Sequence, residues 1–130
     1  MSSYTHKNLA DVEDAAAKQG FGDGFSARFA ADALDCERTG FALETLEPGR
    51  KVPFAHRHHE AEEVYVVLAG SGRMLLDGEV RDLAKHDAIR VSPGVARSFD
   101  AGDEGLELLV FGPRHEGDGE LLQIDWPEGS

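Results

Sequence analysis

Five turn signals divide residues 41–113 into runs that leave room for strands but not for long helices. They are Pro48-Gly49, Gly70-Ser71-Gly72, Asp77-Gly78, Ser92-Pro93-Gly94 and Gly112-Pro113. Glycine takes backbone angles that other residues resist and proline withholds a backbone donor, so both punctuate regular structure. Between the signals lie β-branched and aromatic runs, such as "EVYVVLA" at 63–69 and "LELLVFG" at 106–112. Apolar-polar alternation at 25–30 and 41–47 fits half-buried strands. Asp77-Gly78 suits the two left-handed positions of a type I′ turn, so "RMLLDGEVRDL" predicts a hairpin. Gly70-Ser71-Gly72 reads as the end of the strand that starts at Glu63. The spacing predicts seven or eight short strands in an all-β barrel or sandwich.

The N-terminal stretch reads differently. Leu9, Val12 and Ala16 recur at loosely helical spacing within 8–18, and Gly20 follows as a stop, which predicts one short helix. "GFGDGF" at 20–25 neither follows a strand nor opens a helix, so it reads as a connection rather than a phosphate cradle. At 130 residues the chain is one domain's worth. Its expected plan is a single domain over 1–130, with N-terminal elements in 1–40, a barrel core at about 41–111 and a tail at 113–130. Leu121, Leu122, Ile124 and Trp126 are available to dock that tail. The 25 acidic and 13 basic side chains give a formal charge of -12, which repels a phosphate backbone and argues against a nucleic-acid partner. Cys36 is the only cysteine, so no intrachain disulfide can form and a reducing compartment fits. No stretch is apolar enough for a membrane span or a signal-peptide core, so the expectation is a cytoplasmic protein with no membrane partner.

"HRHHEAEEVYVVLAGSG", residues 56–72, concentrates three of the six histidines beside an apolar run. It is either a set of metal donors or the polar end of a surface strand. Residues two apart on a strand share a face. His56 and His58 therefore look one way and His59 the other, and on the next strand Glu63, Tyr65 and Val67 share a face. If that face is interior, Glu63 enters the space that His56 and His58 look into. A buried carboxylate without a partner is costly, and two neutral imidazoles around a shared divalent ion would supply one. Glu60 and Glu62 fall to loop and outer positions, and His6, His86 and His115 read as surface groups. A bulge would turn His59 inward, and Tyr65 and Arg73 are placed to line a pocket. Phe41, Val67, Leu75, Phe99 and Phe111 read as barrel filling. No serine has a histidine at a recognisable nucleophile spacing.

His56, His58, Glu63 and Gly70 resemble the first motif of the cupin family, in which HxH is followed by a glutamate and, six residues later, a glycine. The resemblance covers about residues 41–111. It implies a cupin-type jelly-roll barrel, usually a homodimer, with a ligand site inside and often a divalent transition metal: iron, manganese, zinc, nickel or copper. In the second motif Gly94 matches, whereas His86 stands for a glycine, Ser92 for a proline, Arg97 for the fourth metal ligand and Ala101 for an asparagine.

Arginine stays protonated and cannot ligate a metal. Arg97 can swing clear of a three-ligand ion, reach across its open positions to an anionic ligand or substrate, or replace the ion and pair with Glu63. The first two arrangements suit a metal-dependent enzyme, such as a dioxygenase or isomerase of a small organic acid. The third suits a metal-free binding or sensing module.

Overall fold

The computed structural model describes residues 3–20, 22–114, 117–123 and 126–127. Strands dominate: β1 (Phe25–Phe29), β2 (Thr39–Leu46), β3 (Ala55–His58), β4 (Glu63–Leu76), β5 (Glu79–Leu83), β6 (Ala88–Val91), β7 (Arg97–Pro113) and β8 (Gly119–Leu122). All pair antiparallel, in the order β1-β2-β7-β3-β8, with β4 joining β5, β6 and β7. The sheet curls into a jelly-roll barrel around one apolar core, as the strand spacing predicts. Tyr65, Val67, Met74, Phe99 and Leu108 are almost fully enclosed there, each contributing about 1.5–3 kcal/mol by the area it withdraws from water.

The predicted N-terminal helix is broken in two. A 3₁₀ turn covers Leu9–Asp11, and the α-helix α1 covers only Ala15–Lys18. The Asp14 carboxylate causes the restart, accepting from the backbone N–H of Ala16 and Ala17 at 3.0 and 3.4 Å. It also accepts from Ala27 N–H at 3.0 Å, which ties the helix to β1.

Gly70-Ser71-Gly72 does not end a strand. β4 runs through it and pairs with β7 on both sides, with register shifts at Val67/Ala69 and Gly70/Gly72. A side chain at Gly70 would lie 2.0 Å from Gly105 O, and one at Gly72 would lie 2.1 Å from Asp100 O. The glycines let two long strands press together and bend, which is how the sheet closes. The predicted hairpin is present: Leu76 opposes Glu79, and Asp77 and Gly78 have φ of 48° and 84°.

Two residues expected as barrel filling stand elsewhere. Phe111 is 38% exposed, and Phe41 opposes it on β2 and is only half-buried. The inner face of β2 carries Ala42 and Leu46 instead, both buried, with Glu44 between them in the alternation. The tail docks through β8 on β3 and through the Trp126 ring, which lies under Lys51 and Arg73 at 4.9 and 5.2 Å. Leu121 is 60% exposed, and Ile124 and His115 lie outside the described residues. No helix is long and apolar enough to cross a membrane among the described residues.

Candidate metal centre

A cavity of about 370 Å³ opens between α1 and the inner wall of the sheet. β3 supplies His56 and His58 to it, β4 supplies Glu63 and Tyr65, and β7 supplies Arg97. His56 and Arg97 are direct cross-strand partners, so their side chains emerge on one face. Gly94 N–H donates to His58 O at 2.7 Å, which holds the end of β3 against the β6–β7 turn.

Glu63 Oε1 is the hub of this cluster. It accepts from Tyr65 OH at 2.8 Å and from Arg97 Nη1 at 3.1 Å. It lies 3.2 Å from His58 Nε2 and 3.8 Å from His56 Nε2. Tyr65 OH is also 3.3 Å from His56 Nε2. One donor atom from each of His56, His58 and Glu63 lies within 4.8 Å of the others. Arg97 has no exposed side-chain surface, and its Nη2 donates to Ser92 O at 3.2 Å. Arg97 is therefore not a free cation facing a ligand, as one sequence reading had it. It is the buried partner of Glu63.

Burial pushes the Glu63 carboxyl up, but the His56, His58 and Tyr65 contacts outweigh it and hold the group well below the usual carboxylate range. His58 is raised, first by its contact with Glu63 and against the opposing effect of burial. Burial raises the Tyr65 phenol, and the charges of Glu63 and Glu44 add to it, so Tyr65 stays protonated as a donor.

Two residues that the sequence did not single out belong here. Asp118 is buried, and its carboxylate accepts from the backbone N–H of His59, Glu60 and Ala61 at 3.1, 2.9 and 3.0 Å. Its Oδ2 stands 3.3 Å from His58 Nδ1, close but outside hydrogen-bonding alignment, and that buried nitrogen has no other acceptor among the described residues. Glu44 lines the cavity from β2. Burial, with the nearby Glu63 charge, raises its pKa to about 7. Strand parity on β2 is the signal that could have found Glu44. Asp118 lies in a tail with no pattern to place it.

Two expected pocket residues lie outside the cavity lining. Arg73 pairs with both oxygens of Asp100 and lies against the Trp126 ring. His59 points outward as parity requires, 59% exposed and 3.4 Å from Glu120. No bulge turns it inward.

A family model for the cupin domain matches residues 42–112. The chain belongs to the cupin family. An uncharacterized protein of Methanocaldococcus jannaschii is 30% identical over 83 residues, spanning 62% of this chain and 66% of that protein. A cupin protein from Bacteroides fragilis superposes with a TM-score of 0.72 at 24% identity, over 90% of this chain and 89% of its own. A sugar phosphate isomerase of the cupin superfamily from Silicibacter pomeroyi gives 0.70 at 21% identity, over 92% and 93%. These likenesses carry the fold. His86 adopts a φ of 74°, a left-handed turn made without a glycine.

The donor set fits a divalent ion. Ligands about 2.1 Å from one ion at tetrahedral or octahedral angles stand about 3.0–3.4 Å apart. The His58–Glu63 separation of 3.2 Å falls in that range, and the His56–Glu63 separation of 3.8 Å is wider and must close for both to bind one ion. His58 has a carboxylate near each ring nitrogen, an environment that calls for positive charge between Nε2 and Glu63. A proton or a metal ion meets that demand, and Asp118 stands where a carboxylate orients a ligating imidazole. Arg97 opposes the ion. At about 5 Å and an effective dielectric near 20 their repulsion is about 7 kcal/mol, against about 16 kcal/mol of attraction between the ion and a bonded carboxylate. The repulsion is the smaller of the two, so Arg97 opposes an ion there without cancelling the pull of Glu63.

Proposed function

We propose that this cupin binds a small molecule in its cavity beside a divalent transition metal held by His56, His58 and Glu63. The convergence of those three donors at one end of the cavity carries the reading. Iron, manganese, zinc, nickel and copper all suit a two-imidazole, one-carboxylate set. When bound, the ion supplies a Lewis-acidic centre with open positions for an oxygen donor of the ligand. The protein's own groups then divide the work. Tyr65 and Arg97 fix Glu63 by donating to one of its oxygens, Asp118 faces the rear of His58, and the apolar wall excludes bulk water. The similarity to a sugar phosphate isomerase supports a small-molecule ligand without specifying its phosphate.

A second reading rests on the 3.1 Å Arg97–Glu63 pair. There the guanidinium supplies the positive charge permanently and the cavity works without metal. Elemental analysis separates the two, using protein purified without a metal-affinity column. The metal reading predicts close to one transition metal per chain, and loss of that metal in His58→Ala. A metal-free wild-type protein that takes up none of the five ions on titration would sink it.

A further inference from the structure

The cavity's polar end explains only part of its lining. Phe25, Phe54, Phe99, Val52 and Val110 line the remainder, and Phe29 and Leu121, each 60% exposed, extend that apolar surface to its rim. Among the described lining residues the one lysine or arginine is Arg97, enclosed and engaged by Glu63 and Ser92. A phosphate or carboxylate in the apolar part finds no free cation there and meets Glu44 instead. Glu44 projects from the inner face of β2, in the alternation between buried Ala42 and Leu46. Its carboxylate has no hydrogen bond or ion pair among the described residues. An acid group in an apolar wall is costly unless something supplies a donor, and no side chain of the described lining does so.

We propose that the cavity selects an uncharged molecule with an apolar body and a hydroxyl group, and that Glu44 is the acceptor for that hydroxyl. The inference rests on the small-molecule reading of the cavity but not on the presence of metal. It narrows the ligand to a phenol or alcohol with an aryl or alkyl body, and it disfavours sugar phosphates and carboxylic acids. Above pH 7, where Glu44 is ionised, a hydroxyl bonded to it gains a charge-assisted acceptor, whereas an ether of the same shape leaves that acceptor unmatched.

Three probes with one aromatic body test this by calorimetric titration at about pH 8, where Glu44 is ionised: 2-naphthol, 2-methoxynaphthalene and 2-naphthoate. Metal content is measured on the same wild-type sample. The expected result is that 2-naphthol binds at least tenfold more tightly than either of the others. Glu44→Leu should then bring 2-naphthol level with 2-methoxynaphthalene while leaving the ether's affinity within about threefold. Equal binding of naphthol and ether by the wild type would overturn the role of Glu44. Naphthoate binding as tightly as naphthol would overturn the selection for uncharged ligands, and failure of all three to bind would overturn the apolar class. A sample that is metal-free, takes up none of the five ions on titration and still prefers naphthol would remove the metal and leave this inference standing. A metal-loaded sample that prefers naphthoate would do the reverse.

Discussion

Residues 56–63 and the segment 86–97 contribute different things, and the second reaches the polar end of the cavity only through Gly94 and Arg97. The first segment supplies side chains: His56, His58 and Glu63 present donor atoms to one point. The second supplies backbone. His86 and Gly94 both sit at left-handed angles, with φ of 74° and 86°, and Gly94 N–H bonds to His58 O. Where the second segment would offer a fourth donor it offers Arg97, enclosed and bonded to Glu63. A fold needs backbone angles, and a non-glycine residue can adopt them at a cost of about 1–2 kcal/mol. A metal needs lone pairs, which a guanidinium does not have. The chain therefore keeps left-handed turns at His86 and Gly94 in its second segment while placing a guanidinium, which has no lone pair to offer, beside Glu63.

Exchanging the odd residue puts the most strain on that contrast. Arg97→His returns a donor to the second segment and removes the opposing charge, so affinity for a divalent ion should rise about a hundredfold in calorimetric titration of stripped protein. Unchanged affinity would show that Arg97 does not limit the site.

Glu44 on β2 gives the next largest effect. Its folded pKa of about 7 lies above the ordinary 4.5. The folded state therefore holds its proton more tightly, and stability falls as pH rises from about 4.5 to 7, with the full loss present above 7. The whole shift corresponds to about 3 kcal/mol, which solvent in the cavity screens to about 1–2 kcal/mol. Glu44→Gln in metal-stripped protein should be more stable than wild type by that amount at pH 8 and by little at pH 4, measured by urea unfolding. An equal gain at both would refute the buried acid.

His86→Gly is the mildest. It should stabilise the fold by about 0.5–1 kcal/mol, because glycine adopts φ of 74° freely but loses more chain entropy on folding. Metal affinity should not move. A change in affinity would mean that the second segment's backbone and the first segment's donors are not separable.

The fold was legible wherever local chemistry dictates it. Asp77-Gly78 specifies its turn through two positive φ values, and parity on β4 separates buried Tyr65 and Val67 from exposed Leu68. Gly70-Ser71-Gly72 was misleading because glycine has two uses. It can end a strand, or it can let two strands approach within a side chain's reach, and only the distance to Gly105 O and Asp100 O distinguishes them. In the site, the meeting of His56, His58 and Glu63 could be read from spacing, since all three lie within eight residues. Arg73 could not be placed that way. Its destination depends on Asp100, which opposes it from β7, and on Trp126 in the tail. Asp118 reaches His58 from sixty residues away through the pairing of β8 with β3, a contact no local pattern encodes.

Anomalous diffraction at a transition-metal edge, from crystals of protein loaded with that metal, tests the central claim most directly. The account predicts a single peak within about 2.0–2.2 Å of one nitrogen each from His56 and His58 and of a Glu63 oxygen, with Arg97 still bonded to that carboxylate. A map with no peak there and Glu63 Oε1 still shared between Tyr65, Arg97 and His58 would contradict it.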